Sequence, residues 1–127
     1  MKPNVNIKPY RSTVRYGGPV TIECTVKSGI PVKEVTWYRV QGDSRTPVVV
    51  DGRKYSGSTV RVPSLTINNA DFQDEGTYVC TAENAAGVGS SPNGDIDVTG
   101  GKWSRIKIDL GYMPQKQIVR SLLITHC

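Results

Sequence analysis

Apolar and polar residues alternate along most of this chain, in short runs. Over residues 19–26, Val20, Ile22, Cys24 and Val26 fall on one face, with Thr21, Glu23 and Thr25 on the other. A period of two with one apolar face marks a strand half-buried against a core. Val35 and Trp37 repeat the pattern around Thr36, and Leu65 and Ile67 repeat it around Thr66. Further on, Tyr78, Cys80 and Ala82 share a face opposed by Thr77, Val79, Thr81 and Glu83. Turn residues separate the runs: Tyr16-Gly17-Gly18-Pro19, Gln41-Gly42-Asp43-Ser44 and Asp51-Gly52. In such turns glycine supplies positive φ and aspartate bonds its own backbone. Helical periodicity is confined to residues 70–75, acidic and beside a strand, which read as a single helical turn. The predicted class is all-β.

The spacing of particular residues narrows the class. Trp37 follows Cys24 by thirteen residues; then come Leu65-x-Ile67 and Asp74-x-Gly76-x-Tyr78-x-Cys80. On this set the chain resembles the immunoglobulin superfamily over about residues 4–99, and Cys80-x-Ala82-x-Asn84-x-x-Gly87 resembles its I-set branch. The resemblance implies an immunoglobulin-like two-sheet Greek-key sandwich. In it Cys24 and Cys80 would bridge the sheets, with Trp37 packed on their disulfide and Leu65 beside it in the core. Tyr78, two residues before the second cysteine, would form a tyrosine corner with its hydroxyl on nearby backbone. Gly76 would permit the tight approach into that strand. Asp74 would pair with a base across the sandwich, and Arg53, Lys54 and Arg61 all remain open for that role. Asn84 to Gly87 would turn one strand into the next. The extra length around Pro92-Asn93-Gly94 predicts a bulge before Ile96 and Val98 resume the last strand. All of these residues are scaffold in this reading.

Length and charge then remove whole classes of function. A chain of 127 residues is one domain's worth. The net charge of +5 suggests a polyanion partner until its location is considered. Residues 1–99 carry eleven Lys/Arg against ten Asp/Glu, whereas residues 100–127 carry Lys102, Arg105, Lys107, Lys116 and Arg120 against Asp109 alone. A nearly neutral body gives no footprint for phosphate backbones, so no nucleic-acid partner is expected. No apolar run approaches the ~18 residues of a membrane span, so no membrane insertion is expected. Met1-Lys2-Pro3-Asn4 has no apolar segment behind its charge and does not read as a signal peptide.

Catalytic and metal chemistry find little to work with. The single histidine, His126, is penultimate, and no His/Cys cluster has metal spacing. No enzyme activity, cofactor or metal is expected. Asp95 and Asp97 flank Ile96 on an outer strand face. Asp51-Gly52-Arg53 reads as a plain turn, although adhesion receptors bind exposed Asp/Arg turns.

Three cysteines, Cys24, Cys80 and Cys127, allow one pair and one left over, and spacing alone does not choose the pair. If the Cys24–Cys80 pairing implied by the resemblance forms, it stabilises the fold by ~4 kcal/mol and points to an oxidising, extracellular compartment.

After Gly100-Gly101 the pattern changes. The stretch Trp103-Ser104-Arg105-Ile106-Lys107-Ile108-Asp109-Leu110-Gly111 resembles part of a discoidin or fucose-binding lectin-type jelly roll. The plainer readings are a linker or an extra hairpin. The domain plan is therefore residues 1–99 as the immunoglobulin-like domain and residues 100–127 as a basic tail.

The expected function is non-catalytic recognition: a module of a cell-surface receptor or adhesion molecule that binds protein, including weakly to its own copies. Candidate contact regions are loops at the sandwich ends: residues 28–32 with Gly29 and Ile30, residues 41–46 with Gly42, Asp43 and Ser44, and residues 84–94 with Asn84, Ala85, Ala86 and Gly87. A carbohydrate-binding immune protein, with the tail as lectin fragment, is one alternative. An intracellular structural domain of the muscle kind, with reduced cysteines, is the other.

Overall fold

Alternation along each run gives strands whose apolar faces meet across two sheets. The computed structural model describes residues 1–100. The tail reading and its lectin-type resemblance fall on residues 101–127, outside the described residues.

One sheet joins β1 (Asn4–Lys8), β3 (Val20–Lys27), β7 (Leu65–Ile67) and β6 (Tyr55–Gly57) in that order. The other runs β2 (Arg11–Arg15), β10 (Gly94–Thr99), β8 (Gly76–Asn84), β4 (Glu34–Gln41) and β5 (Ser44–Pro47), with β9 (Gly87–Ser90) also on β8. Pro9, which has no N–H to donate to a ladder, separates β1 from β2, and the two strands enter different sheets. β2 then lies parallel to β10, and the remaining pairings are antiparallel. Thr81 faces Ser90 and Tyr78 faces Gly94, so four steps along the last strand run beside three on β8. That extra residue is the bulge expected around Pro92-Asn93-Gly94. Ser91 fills it, its hydroxyl accepting from the Cys80 N–H and donating to the Pro92 carbonyl.

The core sits where β3 and β8 face one another. Cys24 and Cys80 are joined by a disulfide. Trp37, on β4, is fully buried with Leu65, Tyr78 and Ile22 around it. Its indole N–H donates to the Pro63 carbonyl at 2.7 Å, so the largest core side chain leaves no polar atom unpaired.

At one end of the sandwich, the turn before β8 is built on Asp74. Residues Phe72–Asp74 form a single 3₁₀ turn capped by Asp71, the helical turn expected over residues 70–75. Asp74 is buried, and Lys54 is its basic partner, with Nζ 2.7 Å from Oδ2. The Tyr55 hydroxyl and the Asp71 N–H also donate to its carboxylate. Burial alone pushes the Asp74 carboxyl up, but hydrogen bonds from Lys54, the Asp71 backbone and Tyr55 outweigh it and hold the group below its ordinary 3.8. The Tyr78 hydroxyl donates to the Asp74 carbonyl at 2.6 Å, and burial pushes that phenol up to about 12. Arg39 spans the gap from β4, donating to the Gln73 and Glu75 carbonyls with its guanidinium over the Tyr78 ring. Gly76 makes room for it: at φ +150°, a Cβ there would stand 2.9 Å from an Arg39 nitrogen.

Candidate functional site

Two of the three candidate loops come together, and the third stands apart. Because β4 and β8 are antiparallel, Glu34 faces Glu83 at one end and Val40 faces Thr77 at the other. The β3–β4 loop and the β8–β9 hairpin therefore share the Glu83 end. Gly42, Asp43 and Ser44 leave β4 at the far end, in a tight hairpin where Gln41 faces Ser44 and Gly42 takes φ +60°.

A buried amide holds the shared end. Asn84 is 2% exposed. Its Nδ2 donates to the Ser28 hydroxyl at 2.9 Å and to the Met1 carbonyl at 2.8 Å. Its Oδ1 accepts from the N–H groups of Ala86 (2.8 Å) and Gly87 (3.2 Å). One side chain thus closes the β8–β9 turn, fixes the β3–β4 loop and ties down the first residue of the chain. Ser28 extends the network: its hydroxyl accepts from the Ile30 N–H and donates to the Ile30 carbonyl. Gly87, at φ +143°, lets the chain turn beside Lys2. The exposed products of this bracing are Gly29, Ala85 and Ala86, with Ile30 half-buried behind them.

A third loop at this end was missed from sequence. The connection from β6 to β7 meets the β3–β4 loop in a cleft of about 220 Å³ lined by Val26, Ile30, Val32, Val35, Val60 and Pro63, among others. Val60 and Val62 alternate around Arg61, yet these residues form no strand. Thr59-x-x-Val62 is instead a closed turn, with the Thr59 N–H on the Val62 carbonyl and the Val62 N–H on the Thr59 hydroxyl. Its usable signal was Gly57-Ser58 ahead of Pro63: both Gly57 and Ser58 take positive φ.

The remaining polar candidates are occupied. Asp51 Oδ1 accepts the N–H groups of Arg53, Lys54 and Tyr55. These bonds, the one from Arg53 first, hold its carboxyl below the usual range. The Asp51-Gly52-Arg53 stretch is a plain turn that delivers Lys54 to Asp74. Asp95 accepts from the Thr77 hydroxyl and stands 4.0 Å from Arg11. Among the described residues no group of three or more His, Cys, Asp or Glu could hold a metal. No helix there is long and apolar enough to cross a membrane.

Comparison with known proteins agrees with this architecture. The chain is similar to neural cell adhesion molecule 1 of Gallus gallus, 32% identical over 90 residues that make up 70% of this chain and 8% of that protein. It is 40% identical over 82 residues to WAP, Kazal, immunoglobulin, Kunitz and NTR domain-containing protein 2 of Bos taurus, covering 63% of this chain and 14% of the relative. The basement membrane proteoglycan of Caenorhabditis elegans is 31% identical over 96 residues, 76% of this chain and 3% of that protein. The chain thus spans less than a fifth of the curated relatives it matches. The immunoglobulin domain family itself matches residues 2–84, from β1 to the end of β8 and more than half of the chain, and the chain belongs to that non-catalytic family.

Proposed function

We propose that the domain is an extracellular protein-recognition module that presents the end carrying residues 28–32 and 84–87 to its partner. The observation that carries this is the Asn84 network. A buried amide with four hydrogen-bond partners organises two loops whose own outer residues are small and exposed. Rigid presentation of exposed loops limits the ordering cost of association, the condition for useful affinity from a small surface. The disulfide favours an oxidising compartment. Similarity to an adhesion molecule and to a basement membrane proteoglycan supports an adhesive or receptor setting, with weak self-association among its uses.

The test is binding of a tetramerised domain to cell surfaces. Ala85→Glu with Ala86→Lys should abolish binding, and Asp43→Lys at the far end should leave it unchanged. The reverse pattern would place recognition at the wrong end and refute the proposal. Self-association is measured by sedimentation across concentration; a strict monomer at high micromolar concentration removes the homophilic part.

A further inference from the structure

The cleft between the β3–β4 and β6–β7 loops has a chemistry of its own. Its side chains are mostly aliphatic, Val26, Ile30, Val32 and Val35 on one side and Val60 and Pro63 on the other, with the Ser28 hydroxyl among them. Beside it Val60 and Val62 are 46% and 58% exposed, on a turn already closed by its own hydrogen bonds. Gly57 and Ser58 enter that loop at φ +92° and +59°. Backbone held in this region by a non-glycine residue is uncommon, and it persists because the surroundings enforce it. The Trp37 N–H bonds the Ser58 hydroxyl and the Trp37 indole bonds Pro63, so both ends of the loop are anchored on the core tryptophan. The valines are therefore displayed from a fixed support rather than a slack loop.

The charges around the cleft have one sign in excess. Lys27 adjoins Val26, Lys33 adjoins Val32 and Arg61 lies between the two exposed valines; all three are exposed. No ion pair among the described residues engages them. The two loops themselves carry no carboxylate; Glu34 and Glu83 face each other where β4 and β8 reach this end. A volume of about 220 Å³ is below the ~300–1,000 Å³ of small-molecule sites and suits one or two aliphatic side chains.

We infer that this cleft receives a branched aliphatic side chain from an acidic segment of a partner protein. Val60 and Val62 supply the apolar contact, and Lys27, Lys33 and Arg61 set the charge preference. The inference rests on the reading of this end as the recognition end and names the chemistry recognised there.

The test uses the domain with its disulfide intact and three capped peptides: one with Ile-Leu flanked by Asp and Glu, one with Ile-Leu flanked by Lys, and one with Ser-Ser flanked by Asp and Glu. Titrations followed by ¹H–¹⁵N NMR should give saturable shifts at the Ile30, Val32, Val60 and Val62 amides with the first peptide. Replacing Ile-Leu by serine should weaken binding about tenfold or more. Reversing the flanks should weaken it several-fold, a difference that shrinks in about 0.5 M salt. Val60→Ser with Val62→Ser, both solvent-facing and so compatible with the fold, should abolish the shifts. Arg61→Glu should move preference toward the lysine-flanked peptide. Silence toward all three peptides, shifts centred on Gly42 and Asp43, or undiminished binding by the double serine variant would overturn the inference. So would binding of the domain to phosphatidylserine vesicles in place of the peptides. If Ala85 and Ala86 govern cell binding while every peptide is silent, the recognition reading stands and the cleft chemistry falls. If the first peptide fills the cleft but the Ala85/Ala86 variant binds cells normally, the recognition reading falls instead.

Discussion

Replacing Lys54 with methionine removes the cation under the most buried carboxylate of the domain while keeping most of the side-chain volume. Asp74 has 2% of its side chain exposed and Lys54 28%, with 2.7 Å between them. Breaking a buried pair by deleting one partner costs about 3–5 kcal/mol, because the other charge is left uncompensated. Here the cost is smaller, about 2–3 kcal/mol, because Asp74 keeps donors from Tyr55 and Asp71 and because Lys54 is partly solvated. The Asn69 carbonyl also loses a donor, which keeps the estimate from falling further. At about 4–8 °C per kcal/mol for a domain of this size, Tm should drop by about 10–20 °C. The assay is urea unfolding with the disulfide intact, alongside Asp74→Asn and the double variant. Their costs should be strongly non-additive, since each single change removes the same pair. Acid supplies a second readout. The folded Asp74 pKa lies below its ordinary value, so the unfolded chain takes up the proton first as pH falls. The contribution is whole above about pH 5 and is lost below about pH 4, through the folded pKa. The gap between wild type and Lys54→Met should narrow over that range. A cost below about 0.5 kcal/mol at pH 7, or a gap independent of pH, would refute the reasoning.

Four further outcomes are expected. Tyr78→Phe deletes the hydroxyl that satisfies the Asp74 carbonyl and should cost about 1–2 kcal/mol by chemical unfolding. Gly89→Ala would put a Cβ 2.0 Å from the Pro3 carbonyl oxygen, so the start of β1 must move away; hydrogen exchange at the Val5 and Ile7 amides should accelerate, with about 1–3 kcal/mol lost. Reducing the Cys24–Cys80 bond, which closes a separation of 56 residues, should lower stability by about 4 kcal/mol in denaturant titrations. Asn84→Ala should cost about 2 kcal/mol and lower backbone order parameters at residues 28–30 and 84–87 together, leaving Gly42 and Asp43 as they are.

Much of the sandwich could be read from the chain because its core residues repeat a local rule. Ile22, Cys24 and Leu65 alternate with polar neighbours and are buried, whereas Tyr78 and Cys80 lie on a strand buried on both faces, with Val79 between them also fully buried. What escaped depends on contacts distant in sequence. Three bases could have faced Asp74; the choice falls to Lys54 because the Asp51 carboxylate folds residues 51–55 into a turn that lowers Lys54 onto the 3₁₀ turn. β1 alternates through Val5 and Ile7, yet its place across the sandwich from β9 follows from a close approach at Gly89 that no periodicity encodes. Residues 28–32 and 84–87 share an end because β4 runs antiparallel to β8, and Asn84 then reaches Ser28 across 56 positions. The β6–β7 loop was hidden for the opposite reason: its valines obey the strand rule, and positive φ at Gly57 and Ser58 breaks the strand there.

The two ends of the described chain lie at opposite poles. The Met1 carbonyl is bonded to Asn84, whereas the Thr99 carbonyl accepts from the Tyr16 N–H near the Asp74 turn. Attachment at Gly100, to a bead, a sensor chip or a neighbouring domain, would hold the braced loops about one strand length, ~30 Å, from the support. A fusion at Met1 would plant its bulk beside those same loops and screen them. Attachment polarity alone would then switch an immobilised sample between accessible and masked, with no residue changed.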